Sequence, residues 1–119
     1  MPPQPLNLIL LDGLFAVAKL PPDAAIPAWA SSGQFFAITR TADELSIVCP
    51  EAQVPSGLQC EPGWRCVRVA GKMNFSVVLA NTGINVFALS TFDTDYLLVK
   101  DAVWKRAKEL FLSAGRSIR

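Results

Sequence analysis

A chain of 119 residues has room for one compact domain or for two half-domains sharing a core, and 51% hydrophobic against 18% charged residues excludes a disordered chain. The formal net charge is +1 and no run of Lys or Arg forms a stripe, so nucleic acid is not an expected partner. The longest apolar runs, residues 8–11, 14–18 and 75–80, are too short to cross a bilayer, so no membrane partner is expected.

In chain order, residues 6–11 and 14–20 are short apolar segments broken at the turn dipeptide Asp12-Gly13, and they read as two strands or a hairpin. Pro21-Pro22-Asp23 stops the second. Asp23 is placed to cap a short helical turn over residues 24–30, which Pro27 keeps from growing. Residues 35–41 and 45–49 are predicted strands around the polar turn Ala42-Asp43-Glu44. Residues 50–62, with three prolines, read as a connector holding at most one helical turn.

The second half runs in the same order. Residues 64–70 are a predicted strand, and residues 75–79 a short helix with Asn74 as N-cap and Gly83 ending it. Residues 85–90 and 96–100 are strands around Phe92-Asp93-Thr94-Asp95. Residues 101–114 are the best helix, with Asp101 as cap and Val103, Trp104, Ala107, Leu110 and Phe111 on one apolar face.

The cysteines Cys49, Cys60 and Cys66 form no CxxC pair and the chain has no histidine, so neither a metal site nor a disulfide framework is expected. Cys66, beside Val67 and Val69, is expected in the core. No nucleotide-binding glycine motif is present, so no cofactor is expected. The N-terminus lacks the basic start and cleavage site of a secretory signal, which makes the cytoplasm the default location.

Residues 36–48 (FAITRTADELSIV) match residues 87–99 (FALSTFDTDYLLV) at an offset of 51, pairing Phe36 with Phe87, Ala37 with Ala88 and Val48 with Val99. Such self-similarity predicts one supersecondary unit used twice. Each unit alternates strands with helical elements, which implies an α+β fold with helices on one face of a mostly antiparallel sheet.

The run Ser90-Thr91-Phe92-Asp93-Thr94-Asp95-Tyr96, followed by Leu97-Leu98-Val99, resembles a signature of tandem ACT-domain proteins, in the family that includes the eukaryotic cytosolic arginine sensors. FFAITRTADELSIVCPE at 35–51, GWRCVRVAG at 63–71 and Phe75-Ser76 are similar to that family at the expected places. The resemblance implies two ferredoxin-like βαββαβ halves, residues 1–62 and 63–119, that bind amino acids between modules and signal through a protein surface without catalysis. One departure stands out: only VVLANTG separates Phe75-Ser76 from Ile84, where the family carries a helix longer by about three turns. The second half therefore has a shortened first helix.

The candidate ligand-binding residues are Asn74, Phe75, Ser76, Ser90, Thr91, Phe92, Asp93, Thr94 and Asp95; none is catalytic. Alternation points Asp93 and Asp95 to one side, where they meet an ammonium or guanidinium group, or else they belong to a solvated turn. Ser90 and Thr91 either bind a ligand or satisfy the turn's backbone. With no histidine to activate Ser90, a hydrolase is not expected. Amide groups at the start of the short helix, near Asn74, either receive a ligand carboxylate or are simply capped.

Two functions remain open. One is a sensor that binds an amino acid, for which the resemblance suggests arginine, and shifts a surface recognised by a regulatory protein partner. The other is an interaction or structural module without a ligand site. The second half ends at Arg119, four residues after Gly115, apparently too soon for a last strand. Residues 6–11 are expected to complete that sheet, with a strand-swapped homodimer as the alternative.

Overall fold

The computed structural model describes residues 7–70, 84, 86–113, 117 and 118. The elements are β1 (Asn7–Leu10), β2 (Phe15–Leu20), β3 (Ala37–Arg40), β4 (Leu45–Pro50), β5 (Gln59–Ala70), β6 (Val86–Ser90), β7 (Asp95–Lys100), α1 (Trp104–Ser113) and β8 (Ser117–Ile118). Short 3₁₀ turns occupy Ala28–Ser31, Glu51–Gln53 and Asp101–Val103. The chain divides into two compact units, residues 13–64 and residues 1–12 with 65–119. Pairing is antiparallel throughout β1–β5, β2–β4, β2–β5, β3–β4 and β6–β7, and parallel between β1 and β8. The fold is accordingly a mostly antiparallel sheet architecture with a C-terminal helix.

In the unit of residues 13–64 the strands run β3-β4-β2-β5. Leu45, Ile47 and Cys49 are fully buried on one face of β4 and pack with Ala18 and Ala30, while Trp29 is half-buried against them. Phe15 meets Phe35 edge-on, with ring centroids 5.9 Å apart and planes at 78°, the geometry favoured by the aromatic quadrupole. Phe15 faces Trp64 and Val17 faces Glu61, so Ala16 alone opposes Pro62 and Gly63: a bulge on β5. Gly63 takes φ +83° there, and the bulge tolerates a proline that has no N–H to give. The segment 50–62 is thus not all connector; its last four residues already belong to β5.

Side chains tie down the loop before β3. Gln53 Nε2 donates to Trp29 O at 2.8 Å and Ser32 O at 3.1 Å, and Arg40 Nη2 donates to Ala24 O at 2.7 Å while its Nη1 donates to Pro22 O. Gly33 lies in this clamp at φ +98°, and a Cβ on it would stand 2.7 Å from Pro50 Cγ and 3.1 Å from Gln53 Oε1. Gly57, at φ +89°, has no atom within 4 Å of such a Cβ. Gly33→Ala is expected to cost about 2–4 kcal/mol, from left-handed strain and overpacking together, and Gly57→Ala only the strain, about 1–2 kcal/mol. Urea unfolding of both variants checks this; equal costs would mean that the clamp yields freely.

In the other unit β1 pairs with β5, and β7 with β5 and β6. Leu8, Val67, Val69, Leu97, Val99, Ala107 and Phe111 form its core, with Val103, Trp104 and Leu110 of the helical stretch packed against it. The apolar stripe expected over residues 101–114 is therefore the buried stripe. The residues 6–11 and 14–20 do not form a hairpin: β1 takes β5 and β8 as neighbours and β2 takes β4 and β5. A final strand also exists, because β8 lies parallel to β1 with Asn7 opposite Ser117 and Leu8 opposite Ile118. Two residues suffice for it, which a pattern-based reading of strands passes over.

Two caps differ from expectation. Asp101 opens a 3₁₀ turn, and its carboxylate accepts from Arg65 Nε at 2.7 Å instead of capping the helix; Lys100 holds the position before that turn and makes no side-chain capping bond there. Asp23 caps nothing, because Pro27 holds the position before the 3₁₀ turn, which starts only at Ala28. The predicted helix at 75–79 and its ends at Asn74 and Gly83 lie outside the described residues.

Candidate functional site: the turn between β6 and β7

The strands β6 and β7 place Ser90 opposite Asp95 at the mouth of a four-residue turn. Ser90 Oγ donates to Asp95 Oδ1 at 2.7 Å, Thr91 N donates to Thr94 O at 2.8 Å and Thr91 Oγ1 donates to the same carbonyl at 2.9 Å. Thr91 thus bonds the turn's backbone, as one of its two readings had it, while Ser90 bonds the Asp95 carboxylate and no backbone group. Asp93 is exposed and Asp95 half-buried, and Phe92 at the tip is 101% exposed. The structure brings together Ser90, Thr91, Phe92, Asp93, Thr94 and Asp95, while Asn74, Phe75 and Ser76 lie outside the described residues.

The turn between β3 and β4 is built alike. Thr41 N donates to Glu44 O at 2.9 Å, and Thr41 Oγ1 accepts from the amides of Asp43 and Glu44, each at 3.1 Å. Arg40 faces Leu45 as Ser90 faces Asp95, so equivalent positions of the two hairpins are 50 residues apart, not 51. At that spacing Thr41 matches Thr91, Asp43 matches Asp93, Gly13 matches Gly63, and the buried run Ile47-Val48-Cys49 matches Leu97-Leu98-Val99. The Phe-Ala dipeptides that suggested 51 sit one residue out of phase, and in a strand one residue exchanges the two faces.

Two of the cysteines, Cys49 and Cys66, are buried. Cys66 is fully buried and burial pushes its thiol up to about 12; burial, with the neighbouring Cys60 second, also raises Cys49. A neutral thiol is a poor nucleophile and a poor metal ligand. Among the described residues no three His, Cys, Asp or Glu side chains converge on a metal position, and no helix is long and apolar enough to cross a membrane.

Sequence reasoning missed a groove of about 190 Å³ in the unit of residues 13–64, lined by Val17, Lys19, Glu44, Ser46, Gln59 and Glu61. Its residues come from three strands and the turn before β4, and no motif joins them in the sequence. The legible signal is alternation: Val17 and Lys19 on β2 point away from buried Ala18.

With this geometry in hand, comparison with known proteins places the chain. Residues 59–111 match the ACT domain family, and residues 13–57 match a family described as an N-terminal domain. The chain thus carries an ACT domain in its C-terminal half. It belongs to the family of protein Atu0741 from Agrobacterium tumefaciens, whose crystal structure shares 37% identity and a TM-score of 0.90 over 98% of this chain and 94% of that one. A protein of unknown function from Vibrio cholerae, VC0802, has the same fold at 15% identity, TM-score 0.73, over 91% of this chain and 88% of that one. Aspartate kinase from Clostridium acetobutylicum, an allosteric enzyme, matches at 10% identity and TM-score 0.61, with 92% of this chain covering 34% of the kinase. A search of curated protein sequences finds no match.

Proposed function

We propose that this protein is a cytoplasmic amino-acid-binding regulatory module, built as two ACT-like halves and without catalytic activity. The observation that carries the reading is the ACT family match over residues 59–111, the stretch that contains the Ser90–Asp95 turn. The ligand contacts Asp93 and Asp95 through its cationic group, with Ser90, Thr91, Phe92 and Thr94 framing the turn and Asn74, Phe75 and Ser76 supplying the remaining contacts. Arginine, with a guanidinium for that pair of carboxylates, heads the amino acids to test. Binding favours one of two arrangements of the protein, which changes its affinity for a regulatory partner or a second copy of itself.

A thermal-shift screen against the free amino acids tests the proposal. A specific ligand at 100 times its dissociation constant adds about 2.7 kcal/mol of stability. If none of them moves the melting temperature, the reading is wrong. Asp95→Ala is expected to weaken binding of the amino acid so found, at a cost in stability of about 1 kcal/mol for the lost bond from Ser90. Calorimetry showing unchanged affinity would return Asp95 to a purely structural place beside Ser90.

One observation favours a second reading, an interaction module without a ligand. The polar groups of the turn already bond one another, and Phe92 stands wholly in water, as an anchor for a protein surface would. A failed amino-acid screen together with a Phe92-dependent protein partner would establish it.

A further inference from the structure

The face of β4, β2 and β5 opposite Ala18, Leu45 and Ile47 is uneven in charge. Ser46 and Gln59 flank Lys19 on its two sides, and Glu61 faces Val17 one step along the same face. Lys19 and Glu61 are thus diagonal neighbours across two strands, separated by on the order of 7–8 Å at the backbone. Glu44 lies at the opposite corner, two residues before Ser46. Lys19 Nζ lies beyond ion-pair distance of every described carboxylate. Between these side chains is the groove of about 190 Å³. The corresponding position in the other unit, 50 residues on, is Val69, which is buried in its core. An ammonium and a carboxylate on neighbouring strands, not ion-paired to each other and with an amide and a hydroxyl beside them, match a small molecule that carries both charges.

We propose that this groove is a binding site for a free α-amino acid, separate from the turn of β6 and β7. The ligand carboxylate accepts from Lys19 Nζ, its ammonium donates to the Glu61 carboxylate, and Ser46 and Gln59 meet a polar side chain. Only a zwitterion satisfies both ends at once; an amine or an acid alone leaves one charge of the groove facing water. The inference rests on the groove's own chemistry and stands whether or not the turn binds anything.

Backbone amide NMR on the full ¹⁵N-labelled chain tests it, with each free L-amino acid added singly. The expected result is saturable shifts at residues 17–19, 44–46 and 59–61 for at least one of them. Lys19→Met, which keeps the aliphatic stem, and Glu61→Gln are each expected to weaken that binding about tenfold or more. Both positions are exposed or at the surface of the sheet, so the variants retain the wild-type spectrum elsewhere. The N-acetyl derivative and the carboxamide of the same amino acid are expected to lose the groove shifts. Shifts confined to residues 90–95 would overturn this site and leave the turn reading standing. Groove shifts that survive Lys19→Met, or that the N-acetyl derivative reproduces, would overturn it too, as would the absence of groove shifts with every amino acid.

Discussion

Deleting residues 1–11 is expected to abolish cooperative unfolding of the unit that also contains residues 65–119. The strand β1 is not a tail laid on a finished structure. Asn7, Leu8, Ile9 and Leu10 pair with Ala70, Val69, Arg68 and Val67, Leu11 N donates to Cys66 O at 2.9 Å, and β8 is held on the other side of β1. Leu8 is fully buried in the core with Val67, Val69 and Phe111. Without β1 the C-terminal half of β5 loses these ladder bonds, and an apolar edge faces water, which invites association. Hydrogen exchange gives a local reading: amides 66–70 are expected to lose protection. A truncated chain that stays soluble and melts at the original temperature would show the strand to be dispensable.

The second large effect is expected at Phe111. Its ring is fully buried on the inner face of α1, against residues of β1, β5 and β7. Phe111→Ala removes the packing of a large side chain and leaves a cavity, at a cost of about 3–5 kcal/mol. Leu112, the next residue, is 50% exposed, and Leu112→Ala is expected to change stability by no more than about 0.5 kcal/mol. Denaturant unfolding of the pair measures the difference. Similar values for both would mean that the helix packs less tightly than its buried stripe indicates.

That stripe was legible in the sequence because a helix repeats its inward face every three or four residues, and Val103, Trp104, Ala107, Leu110 and Phe111 follow that spacing without interruption. The strands β4 and β7 were legible for a related reason: each is a short apolar run bounded by turn residues. What escaped has physical causes too. The early half of β5 was hidden by Pro62 and Gly63, which usually end a strand but here form a bulge. The terminal strand β8 is two residues long, below any periodicity. That β1 joins the sheet of the second half was expected from the apparent lack of a last strand there; its pairing with residues 67–70 in particular was not, since pairing across about sixty positions leaves no local mark. For the candidate site, the turn itself was visible from Ser90 to Asp95. The groove was not, because Lys19, Ser46 and Glu61 become neighbours only when three strands align.

The continuous strand β5 has a consequence for how this chain can be divided. Gln59, Cys60 and Glu61 are paired with β2, and Val67, Arg68, Val69 and Ala70 with β1. A gene fragment ending anywhere inside residues 59–70 would encode a strand cut short of one of its two neighbours. A boundary set there leaves backbone groups of β1 or β2 without their partners, so a clean fragment boundary lies outside residues 59–70.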